Sequence, residues 1–127
     1  MRSKRSYRFF LEDILESIDK IESYTKNLSN VKFVKDPKTI DAVIRNLEII
    51  GEAAKHIPKS IRSKHTEIPW KKMIGLRNII SHEYFGVDEK IIWEIIKVDL
   101  PILKHSMFKL LRDEQKRFSF NKETNNS

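Results

Sequence analysis

The 127 residues include no cysteine, which excludes a disulfide framework, a thiolate zinc site and thiol chemistry. That absence suits a reducing cytosol, where the protein is expected to act. Glycine occurs three times and proline four times, too sparsely for a chain built from tight turns, and most stand at apparent element boundaries. No apolar run approaches the roughly 18 residues of a membrane span. The N-terminus starts basic, but Glu12 and Asp13 break any apolar stretch there, so no signal peptide is expected. There is no internal repeat and no glycine-rich phosphate loop. With 39% apolar and 34% charged residues, the composition is that of one globular domain rather than a disordered chain.

Acidic residues are the minority sign. The net charge is +7 and the isoelectric point near 9.6. Much of the excess lies at the ends, in Arg2, Lys4, Arg5 and Arg8, then in Lys104, Lys109, Arg112, Lys116, Arg117 and Lys122. A positive field speeds encounter with nucleic acid and holds phosphates without regard to sequence. Basic termini also simply keep a small protein soluble, and charge alone does not separate the two.

Helical spacing dominates. Phe10, Leu11, Ile14, Leu15, Ile18, Ile21 and Tyr24 predict a long amphipathic helix from Tyr7 to about Leu28, with Ser29-Asn30 as its stop and Val31 to Val34 as a connection. Asp36-Pro37 supplies an N-cap and a first-turn proline for a second helix reaching about His56. Its apolar row is Ile40, Val43, Ile44, Leu47, Ile50 and Ala54. Gly51 inside that helix costs about 1 kcal/mol relative to alanine, so close approach by another helix is expected. Pro58 to His65 reads as a short helix or turn too polar for the core. Pro69 opens a third main helix with Met73, Leu76, Ile79 and Ile80 inward, and Phe85-Gly86 closes it. Asp88 caps the last, which carries the apolar residues Ile91, Ile92, Trp93, Ile95 and Ile96 and is expected to kink or restart between Asp99 and Pro101. Trp70 and Trp93 are expected as core anchors. The prediction is an all-α antiparallel four-helix bundle over residues 1–117 with an extra short helix, and a frayed, disordered tail over 118–127.

One stretch departs from this apolar pattern: Leu76-Arg77-Asn78-Ile79-Ile80-Ser81-His82-Glu83-Tyr84. Its polar positions carry groups that hold phosphate and move protons. Arg77, Ser81 and Tyr84 share a narrow helical arc, with Asn78 and His82 in a second row. Arg77 and His82 are five apart, about 140° round an unbroken helix. They could meet through the long arginine side chain, through a helix break near His82, or across a symmetric interface. RNA carries its own nucleophile, the 2′-hydroxyl, so cleavage needs a base, an acid and a cation for the crowded phosphate. Histidine titrates near neutrality and arginine presents a permanently charged fork, so His82 and Arg77 are the candidate catalytic pair. Asn78 and Ser81 are supporting candidates. A lone histidine is most often satisfied at a helix end, and a lone arginine most often forms a surface ion pair. Glu52 is taken as structural, with Arg45, Arg77 or a partner subunit as its possible counterion. His56, His65 and His105 lack metal-ligand spacing, and His82-Glu83 lacks the second histidine of a zinc-protease motif, so no metal or other cofactor is assigned.

Arg77, four residues, His82, one residue and Tyr84 resemble the Arg-x4-His-x-Tyr signature of HepT-type ribonuclease toxins of the HEPN superfamily. YRFFLEDI at residues 7–14, AVIRNLEIIGEAA at 42–54, Ile68-Pro69-Trp70, and Phe85-Gly86-Val87-Asp88 with Trp93 resemble the family in matching order, over roughly residues 7–113. The resemblance implies a HEPN-type bundle and a homodimer whose facing motif helices form one cleft with two arginines and two histidines. It implies metal-independent cleavage of RNA, tRNA or mRNA, leaving a 2′,3′-cyclic phosphate. It also implies a type VII-like toxin–antitoxin module, in which an MntA-like minimal nucleotidyltransferase AMPylates Tyr84. An adenylate there would add bulk and negative charge beside Arg77. Otherwise Tyr84 could stack on a base or merely pack its ring. Two rival functions stand: a non-catalytic helical subunit that binds a minimal nucleotidyltransferase, and a general basic RNA-binding bundle.

Overall fold

A computed structural model of the chain describes the backbone of residues 6–83 and 88–126 and the side chains of 6–77 and 88–115. All regular elements among the described residues are helical: α1 (Tyr7–Thr25), α2 (Asn30–Val34), α3 (Pro37–Lys55), α4 (Lys59–Lys64), α5 (Trp70–Glu83), α6 (Glu89–Glu94) and α7 (Leu100–Asn126), with a π-helical turn over Ile95–Asp99. Four long helices pack in the succession α5, α3, α1 and α7. This is an all-α, HEPN-type bundle.

Local chemistry sets the boundaries. The Ser6 side chain accepts from the Arg8 N–H at the start of α1. At α3, Asp36 accepts from the Thr39 N–H at 3.1 Å, directly before Pro37. Asp88 caps α6 through the Lys90 N–H at 2.8 Å. The expected restart before Pro101 takes the form of the π turn, which ends at Asp99 so that proline falls in the first turn of α7. Residues 118–126, expected as an irregular tail, carry helical backbone to Asn126. The sequence there loses its apolar stripe but keeps the helix formers Lys122 and Glu123.

The core is a single cluster that includes Leu11, Ile14, Ile18, Phe33, Leu47, Ile50, Met73, Ile92, Leu100 and Met107. Three expectations are corrected. Val31–Val34 is no plain connection: Ser29 caps a one-turn helix by accepting from Lys32 N–H, and the turn buries Phe33 against α3 and Trp93. Tyr24 and Ile91, read as part of apolar rows, are 43% and 58% exposed. The Pro58–His65 segment does reach the core, through Ile61 and His65.

His65 belongs to a polar staple across the bundle. Its Nε2 lies 3.1 Å from Glu114 Oε2, and the Tyr7 hydroxyl donates to Glu114 Oε1 at 2.8 Å. Glu114 is 4% exposed, so these partners replace the water it has lost. On the outer surface, Lys104 of α7 reaches Glu22 and Asp19 of α1 at 2.8 and 3.3 Å.

Candidate functional site

Helix α5 is positioned by a glycine. A Cβ built on Gly51 would stand 2.9 Å from both the Arg77 nitrogen and the Met73 carbonyl oxygen. Only hydrogen fits there, so α3 and α5 cross backbone to backbone, as anticipated for that residue. Met73 is buried at the crossing and Leu76 half-buried beside it, while Arg77 emerges at its edge.

Arg77 is exposed, yet it is held. Its Nε lies 2.7 Å from Glu52 Oε2. That oxygen is shut off from water and has no aligned hydrogen bond, so the contact is an ion pair set by charge and proximity. The other oxygen, Oε1, stands 3.4 Å from His56 Nε2, and the His56 ring stacks on Phe10 at 4.9 Å between centroids. These groups, with Arg45 and Glu48, line an open groove among α1, α3 and α5. Glu52, assigned only a structural role from sequence, therefore touches the candidate catalytic arginine directly. The signal was available: Glu52 follows the glycine that fixes the crossing.

Helix α5 continues unbroken to Glu83. As far as Glu83, the described backbone shows no helix break of the kind that could unite Arg77 with His82, and Arg77 is turned toward α3. Two backbone positions five apart on such a helix diverge by about 140°. The side chains of Asn78, Ser81 and His82 lie outside the described residues, as do those of Ile79 and Ile80. Tyr84 and the expected Phe85-Gly86 helix end lie outside them altogether.

Among the described residues no cluster of histidine, cysteine, aspartate or glutamate has the makings of a metal site, and no helix is long and apolar enough to cross a membrane. Trp70 is buried, its indole N–H donating to the His65 carbonyl at 3.0 Å, and so serves the core as expected.

The fold is that of a HEPN-type helical bundle. The ribonuclease HepT-like family matches residues 14–110, and the chain belongs to that family. It is 48% identical over 107 residues to a probable ribonuclease HepT of Thermococcus cleftensis, covering 84% of this chain and 97% of that one. Proteins named as candidate RNases are similar too. One from Methanocaldococcus jannaschii is 46% identical over 80% of this chain and 94% of its own. One from Caldanaerobacter subterraneus is 43% identical over 91% of this chain and all of its own. No solved structure matches.

Proposed function

We propose that the protein is a metal-independent endoribonuclease toxin of a type VII-like toxin–antitoxin module, acting in the cytoplasm on tRNA or mRNA. The observation that carries this is Arg77, projected from a glycine-fixed crossing and held by Glu52, in a chain of a ribonuclease family. Arg77 is the cation for the scissile phosphate, and its fork complements two phosphate oxygens. His82 moves the proton between the 2′-hydroxyl and the leaving 5′-oxygen. The product carries a 2′,3′-cyclic phosphate. Asn78 and Ser81 support the pair.

The site is composite, completed by a second copy. The 140° divergence of Arg77 and His82 along an unbroken α5 favours pairing one chain's arginine with the other's histidine. Two surface features support a docked copy. Among the described residues nothing stands within 4 Å of where a Cβ on Gly75 would be, two helical turns before His82. Beyond Leu76, a mainly apolar groove is formed with Ile95, Leu100 and Ile102, of which Ile102 is well exposed. An MntA-like nucleotidyltransferase neutralises the toxin by AMPylating Tyr84, which places bulk and negative charge beside Arg77.

Incubating RNA with the purified protein in excess chelator is the direct test. Cleavage by wild type and none by His82→Ala is expected. Equal behaviour of the two ends the catalytic claim and leaves a non-catalytic subunit of a nucleotidyltransferase.

A further inference from the structure

A second groove lies where α4 approaches the start of α5. Lys59, Arg62, Thr66, Trp70, Lys71 and Ile74 line it, and no carboxylate does among the described residues. The basic residues around it divide into two sets. Lys64 and Lys72 are engaged, with Glu114 at 3.6 Å and Asp99 at 3.5 Å. Lys59, Arg62 and Lys71 have no ion-pair partner among the described residues. Glu67, the nearest acid in sequence, stands 3.8 Å from His65 Nδ1. The Arg62 Nε is moreover cut off from solvent with no hydrogen-bond acceptor. No carboxylate among the described residues neutralises that guanidinium, so its charge is available to an anion at the groove.

The groove leads to the motif. From Lys71, steps of three and four residues along α5 pass Ile74 to Arg77 and Asn78, so Lys71 lies about 9 Å along the helix axis from Arg77. Three uncommitted cations, an unsatisfied buried guanidinium nitrogen and an acid-free lining match a chain of phosphates better than an acidic protein side chain or a single small anion.

We infer that the α4–α5 groove, through Lys59, Arg62 and Lys71, is an extended phosphate-binding subsite that holds a single-stranded RNA to one side of the scissile bond. The subsite rests on the nuclease reading for its role in cleavage, but its affinity for RNA can be measured without turnover.

The experiment is fluorescence-anisotropy binding of a labelled single-stranded oligoribonucleotide to full-length protein in the His82→Ala background, over a salt series. Removing the three cations (Lys59→Gln, Arg62→Gln and Lys71→Gln together) should weaken binding at least tenfold. It should also flatten the slope of log affinity against log salt by about 2, near 0.7 for each lost single-strand phosphate contact. The control triple Lys26→Gln, Lys35→Gln and Lys38→Gln makes the same charge change on exposed positions elsewhere and should leave the slope within error. If the groove triple does not fold, the exposed Lys59→Gln and Lys71→Gln variants are read singly, each expected to lower the slope by about 0.7. Equal losses from the two triples, or wild-type binding by the groove variants, overturn the subsite. RNA binding lost with the groove triple, but no cleavage by wild-type protein, keeps the subsite and sinks only the nuclease.

Discussion

Glu52 Oε2 stands 2.7 Å from Arg77 Nε, one position past the glycine on which Arg77's own backbone rests. The same two turns of α3 and α5 thus set both where the guanidinium starts and where it points. Both side chains are nearly half exposed, at 46% and 44%, so the pair adds little to stability. Its consequence lies in orientation.

Glu52→Gln is accordingly expected to shift thermal midpoint by no more than a few degrees while lowering RNA cleavage severalfold, with the loss in kcat rather than KM. Thermal melts and steady-state cleavage of one oligoribonucleotide measure both. A large stability loss with unchanged turnover would make Glu52 a structural residue only.

Arg77→Lys keeps the charge and discards the fork. Cleavage should fall at least tenfold with the fold unchanged, since a lysine cannot hold two phosphate oxygens in one plane. His82→Ala should cost about 10²–10⁴-fold, the usual contribution of general acid–base catalysis. Single-turnover rates with circular dichroism as the folding check decide it. A lysine variant as fast as wild type would remove bidentate phosphate binding from the mechanism.

The glycines of α3 and α5 should respond oppositely to alanine. At Gly51 the new methyl meets backbone at 2.9 Å and the helices must part, at a cost of about 1–3 kcal/mol. Gly75→Ala meets nothing and should be neutral or stabilise by up to about 1 kcal/mol. Gly75→Leu should keep the fold but weaken self-association. Denaturant melts with sedimentation velocity read all three; a Gly75→Leu protein that associates as wild type does would place the second copy elsewhere.

Glu114→Ala removes the carboxylate that the Tyr7 hydroxyl and the His65 ring share. It should destabilise by about 1–3 kcal/mol, and Tyr7→Phe by about 0.5–1.5 kcal/mol. Chemical denaturation of the two single variants and the double tests the coupling. Strict additivity would mean that no shared network exists.

Acid should weaken the start of α3. Hydrogen bonds from the Thr39 hydroxyl, then from its backbone N–H, hold the Asp36 carboxyl below its ordinary value of 3.8. A depressed native value contributes stability above the ordinary carboxylate pKa, and that contribution is lost as pH falls through the lowered one. Asp36→Ala should therefore melt below wild type near neutrality, with the difference shrinking in strong acid. A difference constant with pH would show that the cap acts without its charge.

The helical plan was legible because its signals are local. Asp36-Pro37, Asp88 and the 3.6-residue apolar rows each act within a turn or two, and both caps and most of the described apolar positions stand where the spacing placed them. Ser29 was misjudged for the same kind of reason, since a serine that can end one helix can equally cap the next. Tyr24 and Ile91 looked buried because periodicity assigns a face without saying whether a neighbour covers it. Arg77 and His82 stood out in the sequence through residue type and spacing, but Glu52 had three possible partners there, Arg45, Arg77 or a second subunit.

The order of residues by itself determined the helices, their caps, the need for a close crossing at Gly51 and the motif on α5, because propensity, capping and periodicity operate over a few neighbouring positions. Only the folded chain decided that Glu52 takes Arg77, that Glu114 joins Tyr7 and His65, and that Lys59, Arg62 and Lys71 stand around one groove with no ion-pair partner among the described residues. Those outcomes join groups distant along the chain, and which charges meet depends on how whole helices pack.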